Sequence, residues 1–398
     1  MAALYFDKNK CTLCGQCVED CPFNALTIEN DHIEVGASCK MCKLCIKKCP
    51  QEAVSILEDE KKYVDKNLYK GIMVYVEISG GKIHPVVLEL LGKARELGAK
   101  IGHRVLAVCP GGKNVADSAK ALLDYGVDEV FVYSDEALEH FRVDAYANVV
   151  AHCIEHNRPS VVLVGATSIG RSLAPRLATR FRTGLTADCT ALEMKENTDL
   201  VQIRPAFGGN IMAQIITPAT RPQFATVRYK VMNDAKKVEN PIGRLTICPV
   251  SKDFVKSGIE VLRTKVLEKH KGIEDEDVLV VAGKGIKNQK DLEMLESLAR
   301  VLGGQLASTR PLVECGWMHY TKQIGLSGRT VKPKLIITCG VSGAIQFTAG
   351  MNGADCIIAI NSDENAPIFK IANYCIVDDL YNIVPGLLKK LAAKEREV

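Results

Sequence analysis

The spacing of the cysteines constrains this chain more than any other feature. Of 16 cysteines in 398 residues, eight fall between Cys11 and Cys49 and eight are scattered over the rest. The cluster reads Cys11-x-x-Cys14-x-x-Cys17-x-x-x-Cys21-Pro22, then Cys39-x-x-Cys42-x-x-Cys45-x-x-x-Cys49-Pro50, every cysteine and both prolines recurring after 28 residues. The opening residues MAALYFDKNK lack the apolar stretch of a secretion signal. In such a chain, crowded cysteines are metal ligands more often than disulfides.

This is the pattern of the two-cluster bacterial ferredoxins, in which three closely spaced thiolates grip one cluster and the fourth, before proline, crosses to the other. Cys11, Cys14, Cys17 and Cys49 are therefore expected to hold one 4Fe-4S cluster, and Cys39, Cys42, Cys45 and Cys21 the second. Zinc, the competing reading, is bound by two Cys pairs rather than by two triplets each closed by Cys-Pro. Covalent haem needs Cys-x-x-Cys-His, and no histidine follows Cys14, Cys17, Cys42 or Cys45. The polar run from Glu58 to Lys70 reads as a linker, which places a ferredoxin-like α+β domain at residues 1–62. Its 8 Lys, no Arg and 10 Asp plus Glu make it mildly acidic, which suits a redox partner rather than a polyanion.

From Gly71 onward, apolar runs at 72–78, 104–109, 129–133 and 161–165 alternate with amphipathic stretches, one with Val87, Leu90, Leu91, Ala94 and Leu97 on a single face. Successive βα units imply a parallel sheet. Gly165-Ala-Thr-Ser-Ile-Gly170-Arg171 ends a strand and opens a helix, where a phosphate could rest on free N–H groups. A plain strand-to-helix turn is the favoured reading, because neither a P-loop Lys-Ser/Thr nor a full Gly-x-Gly-x-x-Gly is present. The charged stretch 251–278 has no strand signal and reads as an interdomain linker. Beyond it, 278–282, 335–339, 356–360 and 374–377 read as strands of a second α/β segment. Gly283-Lys284-Gly285 alone is a weak dinucleotide signal, since Asn288 stands at the third glycine position. Gly325-Leu-Ser-Gly328, Gly340-Val-Ser-Gly343 and Asn361-Ser-Asp363 strengthen it by flanking strand ends, where ligands of open parallel sheets collect.

A net charge of +4 with no arginine-rich tract argues against a nucleic-acid partner, and the longest apolar runs are far too short for a membrane span. A soluble, cytoplasmic protein is expected. No convergent His/Asp/Glu constellation, Gly-x-Ser-x-Gly or His-Glu-x-x-His offers substrate chemistry of its own, which weighs against a self-contained iron-sulfur flavoenzyme. The eight scattered cysteines sit mostly in apolar runs and read as packing.

The run Ala307-Ser-Thr-Arg310-Pro311, Ile324-Gly-Leu-Ser-Gly-Arg-Thr330, Gly340-Val-Ser-Gly-Ala-Ile-Gln346, Ala366-Pro-Ile-Phe369 and Asp378-Asp379-Leu380 resembles the alpha subunit of electron-transfer flavoproteins. Gly184-Leu-Thr-Ala-Asp-Cys-Thr190 and Arg204-Pro-Ala-Phe-Gly-Gly-Asn210 are similar to the same family's first α/β domain. With the ferredoxin head in front, the chain looks closest to alpha subunits of anaerobic electron-bifurcating complexes such as the caffeyl-CoA reductase complex. The resemblance implies two parallel-sheet α/β domains, at 68–255 and 270–398, the last a doubly wound FAD-binding domain. It also implies a beta subunit carrying a second FAD and the NADH site, an acyl-CoA dehydrogenase-like reductase, and ferredoxin as low-potential acceptor. A non-bifurcating or lactate-dehydrogenase-linked flavoprotein is the alternative.

Carried over position by position, Thr309 and Arg310 would contact the flavin, Ser327 would donate to its N5, and Ser342 and Gln346 would hold the ribityl and diphosphate. Asn361 and Asp379 match positions near the AMP moiety, and Lys284, Gly325, Leu326, Gly328 and Gly343 complete the cofactor-binding set. Three positions depart from the commoner pattern: Lys284 for Arg, Leu326 for Gln, and Phe347 for a His that donates to the pyrimidine end. A guanidinium is charged at any working pH, so Arg310 should favour a flavin carrying negative charge.

Overall fold

The computed structural model describes residues 3–29, 31–36, 38–57, 64–206, 211–265 and 272–394. The chain divides into two compact units, Met1–Val64 and Asp65–Val398. The boundary expected at residue 62 lies outside the described residues, as do Phe207 to Asn210 of the second motif.

In the first unit, the repeat seen in the cysteines is also a repeat of backbone. Gln16–Glu19 and Leu44–Lys48 are single-turn helices, preceded by Gly15 at φ 80° and Lys43 at φ 64°. Other left-handed residues match at the same offset: Leu13 with Met41, at 56° and 52°, and Asn24 with Glu52, at 45° and 48°. Ala3–Phe6 pairs antiparallel with Val54–Leu57, and Leu26–Glu29 with His32–Val35. Cys17, Leu26, Ile33, Cys45 and Val54 form the small core between them.

The second unit contains two parallel sheets. Seven strands lie in the order Leu185–Cys189, Gln223–Val227, Val161–Gly165, Ile72–Tyr75, Val105–Gly111, Glu129–Ser134, Arg244–Cys248. Side chains alternate across a strand, so Ile72 and Val74 pack with Leu90, Leu91 and Leu97 of helix Val86–Ile101, whereas Met73 and Tyr75 pack on the opposite face. There Val143–Asn157 and Ser168–Arg180 supply Val150, Ile154, Leu173 and Leu177. Five further strands lie in the order Gln305–Ser308, Val278–Ala282, Leu335–Cys339, Cys356–Asn361, Tyr374–Val377. Leu295 and Leu298 of helix Leu292–Val301 and Val384 of Leu380–Lys394 close one face of this sheet. No helix among the described residues is long and apolar enough to cross a membrane.

Four strands of these sheets have no strong apolar run in the sequence, one of them the edge strand Leu185–Cys189. Gln223–Val227 is a fully buried central strand that begins with a polar residue. Gln223 is tolerated there because Leu200 N donates to its Oε1 at 2.9 Å and its Nε2 donates to Thr198 O at 3.0 Å. Arg244–Cys248 and Gln305–Ser308 are edge strands, which need only one apolar neighbour each. The antiparallel trio Ala191–Met194, Leu200–Ala206 and Ile211–Ile215 is likewise absent from the βα pattern.

Arg221 is a deeply buried charge of the second unit. Its Nη2 lies 2.7 Å from Asp199 Oδ1, which also accepts from Lys66 Nζ at 2.7 Å, and its side chain has 0% exposure. Removing one member of a buried pair strands the other, at a cost of about 3–5 kcal/mol. Arg221→Ala is therefore expected to lower unfolding stability by about that amount, measured by urea titration. A loss below about 1 kcal/mol would show that Lys66 and water suffice for Asp199.

Candidate functional site

In the five-stranded sheet, the first strand in sequence lies between the second and third, which opens a crevice at the C-terminal ends of Val278–Ala282 and Leu335–Cys339. Ligands of open α/β sheets bind at such a switch point. The floor is bare backbone. Gly283 N donates to Cys339 O and Gly285 N to Gly340 O, both at 2.9 Å. A Cβ on Gly283 would stand 2.2 Å from Gly340 O, so only glycine lets the two loops cross this closely. A cavity of about 870 Å³ lies above this crossing, within the size range of cofactor sites.

Lys284, Thr309, Arg310, Gly325, Leu326, Ser327, Ser342, Gln346, Asn361 and Asp379 all line this cavity. Gly328 and Gly343 do not, and the reason is steric. A Cβ on Gly328 would lie 2.3 Å from Gln323 O, and Gly343, at φ 85°, would drive one to 2.2 Å from Ile368 N. Both shape the wall without facing the space. Phe347 is buried among Ile324, Val331, Met351 and Ile368 and presents part of its ring to the cavity.

Several side chains are already engaged. Arg310 Nε donates to Glu314 Oε1 at 2.8 Å with both side chains largely exposed, so its charge is partly compensated and screened. Asn361 spends both ends of its amide on backbone, donating to Val341 O at 2.8 Å and accepting from Asp363 N at 3.0 Å. Asp379 accepts from Tyr381 N at 3.0 Å and faces Lys287 Nζ at 3.4 Å; the backbone bond and the lysine hold its carboxyl below the usual range. Gln323 Nε2 donates to Ser327 Oγ at 2.8 Å. A hydroxyl that accepts from an amide keeps its own proton for another partner, so the buried Gln323 turns Ser327 into a donor.

Gln323, Glu314 and Lys287 line the cavity and were not among the residues read from sequence. The (i, i+4) spacing of Arg310 and Glu314 on helix Arg310–Glu314 is the one signal that could have found any of them. Arg228 was also missed. Its Nη2 donates to Leu326 O at 2.6 Å and to Asp188 Oδ2 at 3.2 Å, tying the loop that carries Ser327 to the seven-stranded sheet.

The switch point of that larger sheet is filled by its own side chains. Thr167 caps helix Ser168–Arg180 by accepting from Gly170 N and donates to Glu77 Oε2, so residues 165–171 form a strand-to-helix turn. The buried thiols of Cys109, Cys189 and Cys339 are pushed up to about 12 by desolvation, as unreactive packing groups. Cys315 and Cys375, in contrast, are exposed.

In the first unit, Cys11, Cys14, Cys17 and Cys49 line one small cavity, and Cys21, Cys39, Cys42 and Cys45 line another. Cys49 sits with the first triplet and Cys21 with the second, as a crossed fourth ligand requires. Among the described residues no three His, Cys, Asp or Glu side chains converge on the position of a single ion. Thiols spread around a cavity fit the corners of a cluster better than one zinc. Ala25 N approaches Cys21 Sγ and Ala53 N approaches Cys49 Sγ, each at 3.3 Å, so both crossing sulfurs accept a backbone N–H bond.

Comparison with known proteins agrees with this geometry. The electron transfer flavoprotein domain matches residues 72–246, the electron transfer flavoprotein FAD-binding domain 272–352, and the 4Fe-4S binding domain 4–27. The chain belongs to the electron transfer flavoprotein alpha family. It is 56% identical over 379 residues to the lactate dehydrogenase (NAD(+),ferredoxin) subunit LctC of Acetobacterium woodii, covering 95% of this chain and 90% of that one. It is 42% identical to an electron transfer flavoprotein subunit alpha of Clostridium acetobutylicum, covering 83% and 99% of the two chains. With a FixB protein of Clostridium saccharobutylicum it shares 45%, over 82% and 97%. The Acetobacterium relative thus places a lactate-linked subunit among the similar proteins.

Gly343→Ala tests whether the wall glycines shape the FAD site. Left-handed strain plus a backbone clash costs on the order of 1–3 kcal/mol at one residue. The variant is expected to retain its far-UV spectrum and to bind FAD at least about ten-fold more weakly, read by fluorescence titration of released flavin. Unchanged affinity would place this wall away from the cofactor.

Proposed function

We propose that this chain is the alpha subunit of an NAD- and ferredoxin-linked electron-transferring complex whose catalytic partner is a lactate dehydrogenase. The observation that carries this reading is the 56% identity over 95% of the chain, which spans both units, to a subunit named for lactate, NAD(+) and ferredoxin. An acyl-CoA dehydrogenase-like reductase is the second reading, the one implied by the resemblance of the motifs at 307–311, 324–330 and 340–346 to electron-transfer flavoprotein alpha subunits. In both readings a beta subunit brings a second FAD and the NADH site, and the complex is cytoplasmic. The modules are residues 1–62, 68–255 and 270–398.

Bound FAD would supply the exchange between hydride and single-electron chemistry, and two 4Fe-4S clusters would supply single-electron transfer. The chain's own contribution is placement and electrostatics. Ser327, fixed as a donor by Gln323, offers its proton to flavin N5. Arg310 supplies positive charge that Glu314 tempers. Val341, Ile324 and Phe347 keep water from one side of the cavity. Lys284 and Lys287 offset diphosphate charge, and Asn361 holds the Val341 and Asp363 loops in place. The eight cysteines Cys11, Cys14, Cys17, Cys21, Cys39, Cys42, Cys45 and Cys49 are assigned to the clusters in the two crossed sets.

Identifying the subunits of the purified native complex, and assaying it with lactate plus NAD(+) against an enoyl-CoA plus NADH, separates the two readings. Activity on the CoA substrate alone would overturn the lactate assignment. The two-cluster assignment predicts about eight iron and eight sulfide per chain in anaerobically purified protein, and Cys49→Ala should damage the cluster whose other ligands are Cys11, Cys14 and Cys17. Bound zinc, or four iron in the wild type, would contradict it.

The Arg310–Glu314 pair generates a finer expectation. Glu314→Gln leaves the guanidinium uncompensated and should raise the FAD potential, and Arg310→Ala should lower it. Because the pair is exposed, each shift is expected to be about 20 mV at most. Phe347→His adds a donor at the ring and should raise the potential further. Spectroelectrochemical titration reads all three; shifts of the opposite sign would place these side chains away from the ring.

A further inference from the structure

The internal repeat of the first unit supplies its own control. Residues 28 apart share a backbone conformation, so differences between them are differences of side chain alone. Between the cysteines the charge difference runs one way. Thr12 corresponds to Lys40, Gly15 to Lys43, Glu19 to Lys47 and Asp20 to Lys48. The segment between the first four cysteines carries two acidic residues and no basic one; the segment between the second four carries four lysines and no acid.

The lysines are placed over one centre. Lys40 and Lys43 line the cavity of Cys21, Cys39, Cys42 and Cys45, whereas no charged side chain lines the other cavity. Lys8 and Lys10 precede Cys11 but line neither. Lys48 is paired with Asp20 at 3.0 Å. Lys40, Lys43 and Lys47 are exposed with no ion pair among the described residues. Two exposed apolar side chains line the same cavity as Lys40 and Lys43: Phe23 at 41% exposure and Leu44 at 37%. Lys43 occupies φ 64°, a left-handed position that its counterpart fills with Gly15. The lysine is kept where glycine would relieve the backbone.

Resting on the two-cluster reading above, we propose that this face, which carries Lys40, Lys43, Phe23 and Leu44 beside Cys21, Cys39, Cys42 and Cys45, docks an acidic one-electron carrier of the ferredoxin class, and that the centre behind it is the terminal one of the chain. Charge complementarity selects the occupant: an acidic protein meets the unpaired ammonium groups of Lys40 and Lys43, which line one cavity with the exposed Phe23 and Leu44. The same charges favour the electron on this centre, since a thiolate-ligated cluster is anionic and its potential rises with nearby positive charge. One electron crosses the contact, oxidising the cluster of this chain and reducing that of the carrier; no bond forms and no proton moves.

The test is calorimetric titration of the anaerobic native complex with an oxidised, acidic two-cluster ferredoxin at low salt. Lys40→Glu with Lys43→Glu should weaken binding about ten-fold or more and flatten its salt dependence. Lys8→Glu with Lys10→Glu makes the same change in net charge away from both cavities and should shift the Kd by less than about two-fold. Phe23→Ser should weaken binding even at high salt, where the lysine effect is screened. Equal weakening by both charge-reversed pairs, or by neither, overturns the assigned face. Iron content of each preparation separates the layers: a wild type well short of eight iron per chain overturns the cluster reading and the proposal with it, whereas full iron with unaltered binding overturns the docking face alone.

Discussion

The second unit depends on one close approach of backbone to backbone. At the switch point of the five-stranded sheet, Gly283 and Gly285 cross Gly340 with N–H to carbonyl bonds of 2.9 Å, and a side chain at Gly283 would collide with the Gly340 carbonyl. Ser342 and Gln346, which follow Cys339, and Lys284 and Lys287, which follow Gly283, all line the cavity at this crossing. Without the crossing, the strand ends would be capped by their own turns. The larger sheet illustrates that alternative: Thr167 and Glu77 bond across its switch point, and Val86 lies 2.6 Å from where a Cβ on Gly165 would sit. Two sheets of one class differ in function because one crevice is kept open and the other is filled.

On that open crevice, orientation is built by residues that do not advertise themselves. Ser327 has a single proton, and Gln323, by donating to its oxygen, decides where that proton can go. The loop between them is closed by Arg329 N donating to Gln323 O at 2.7 Å, and Arg228 fixes the Leu326 carbonyl beside it. The polarity of one hydroxyl is thus set by a buried amide on its own loop and a guanidinium from the neighbouring sheet. Arg310 is the opposite case. Its charge is prominent in the sequence, yet Glu314 one turn away reduces what reaches the cavity.

What could be read from sequence follows the range of the interactions concerned. The cysteine sets were legible because a cubane imposes its spacing on a short stretch of chain, and the central strands because continuous burial demands continuous apolar runs. Gln223–Val227 escaped because its polar first residue is satisfied by Thr198 and Leu200, groups more than twenty residues upstream. The positions expected to touch a cofactor came from a dense set of motifs, and the structure gathers ten of them around one cavity. Gly328 and Gly343 resist interpretation as contacts because glycine is required by what lies behind it, here Gln323 and Ile368. Gln323, Glu314 and Arg228 depend on tertiary neighbours, and local patterning carries little of that.

The first unit separates the demands of a cluster from the demands of its surroundings. Gly15 and Lys43, Leu13 and Met41, and Asn24 and Glu52 adopt the same left-handed turns, and Ala25 and Ala53 bring the same N–H to the crossing sulfurs. Those features serve the geometry of four thiolates and are duplicated. Charge is not duplicated, although geometry places no demand on it, and a drifting surface would scatter lysines and acids over both halves. Four lysines between the second set of cysteines and none between the first are the asymmetry on which the proposed docking face rests. The left-handed Lys43 makes the point at one residue, because glycine satisfies the same turn in the twin and would do so here at lower backbone cost.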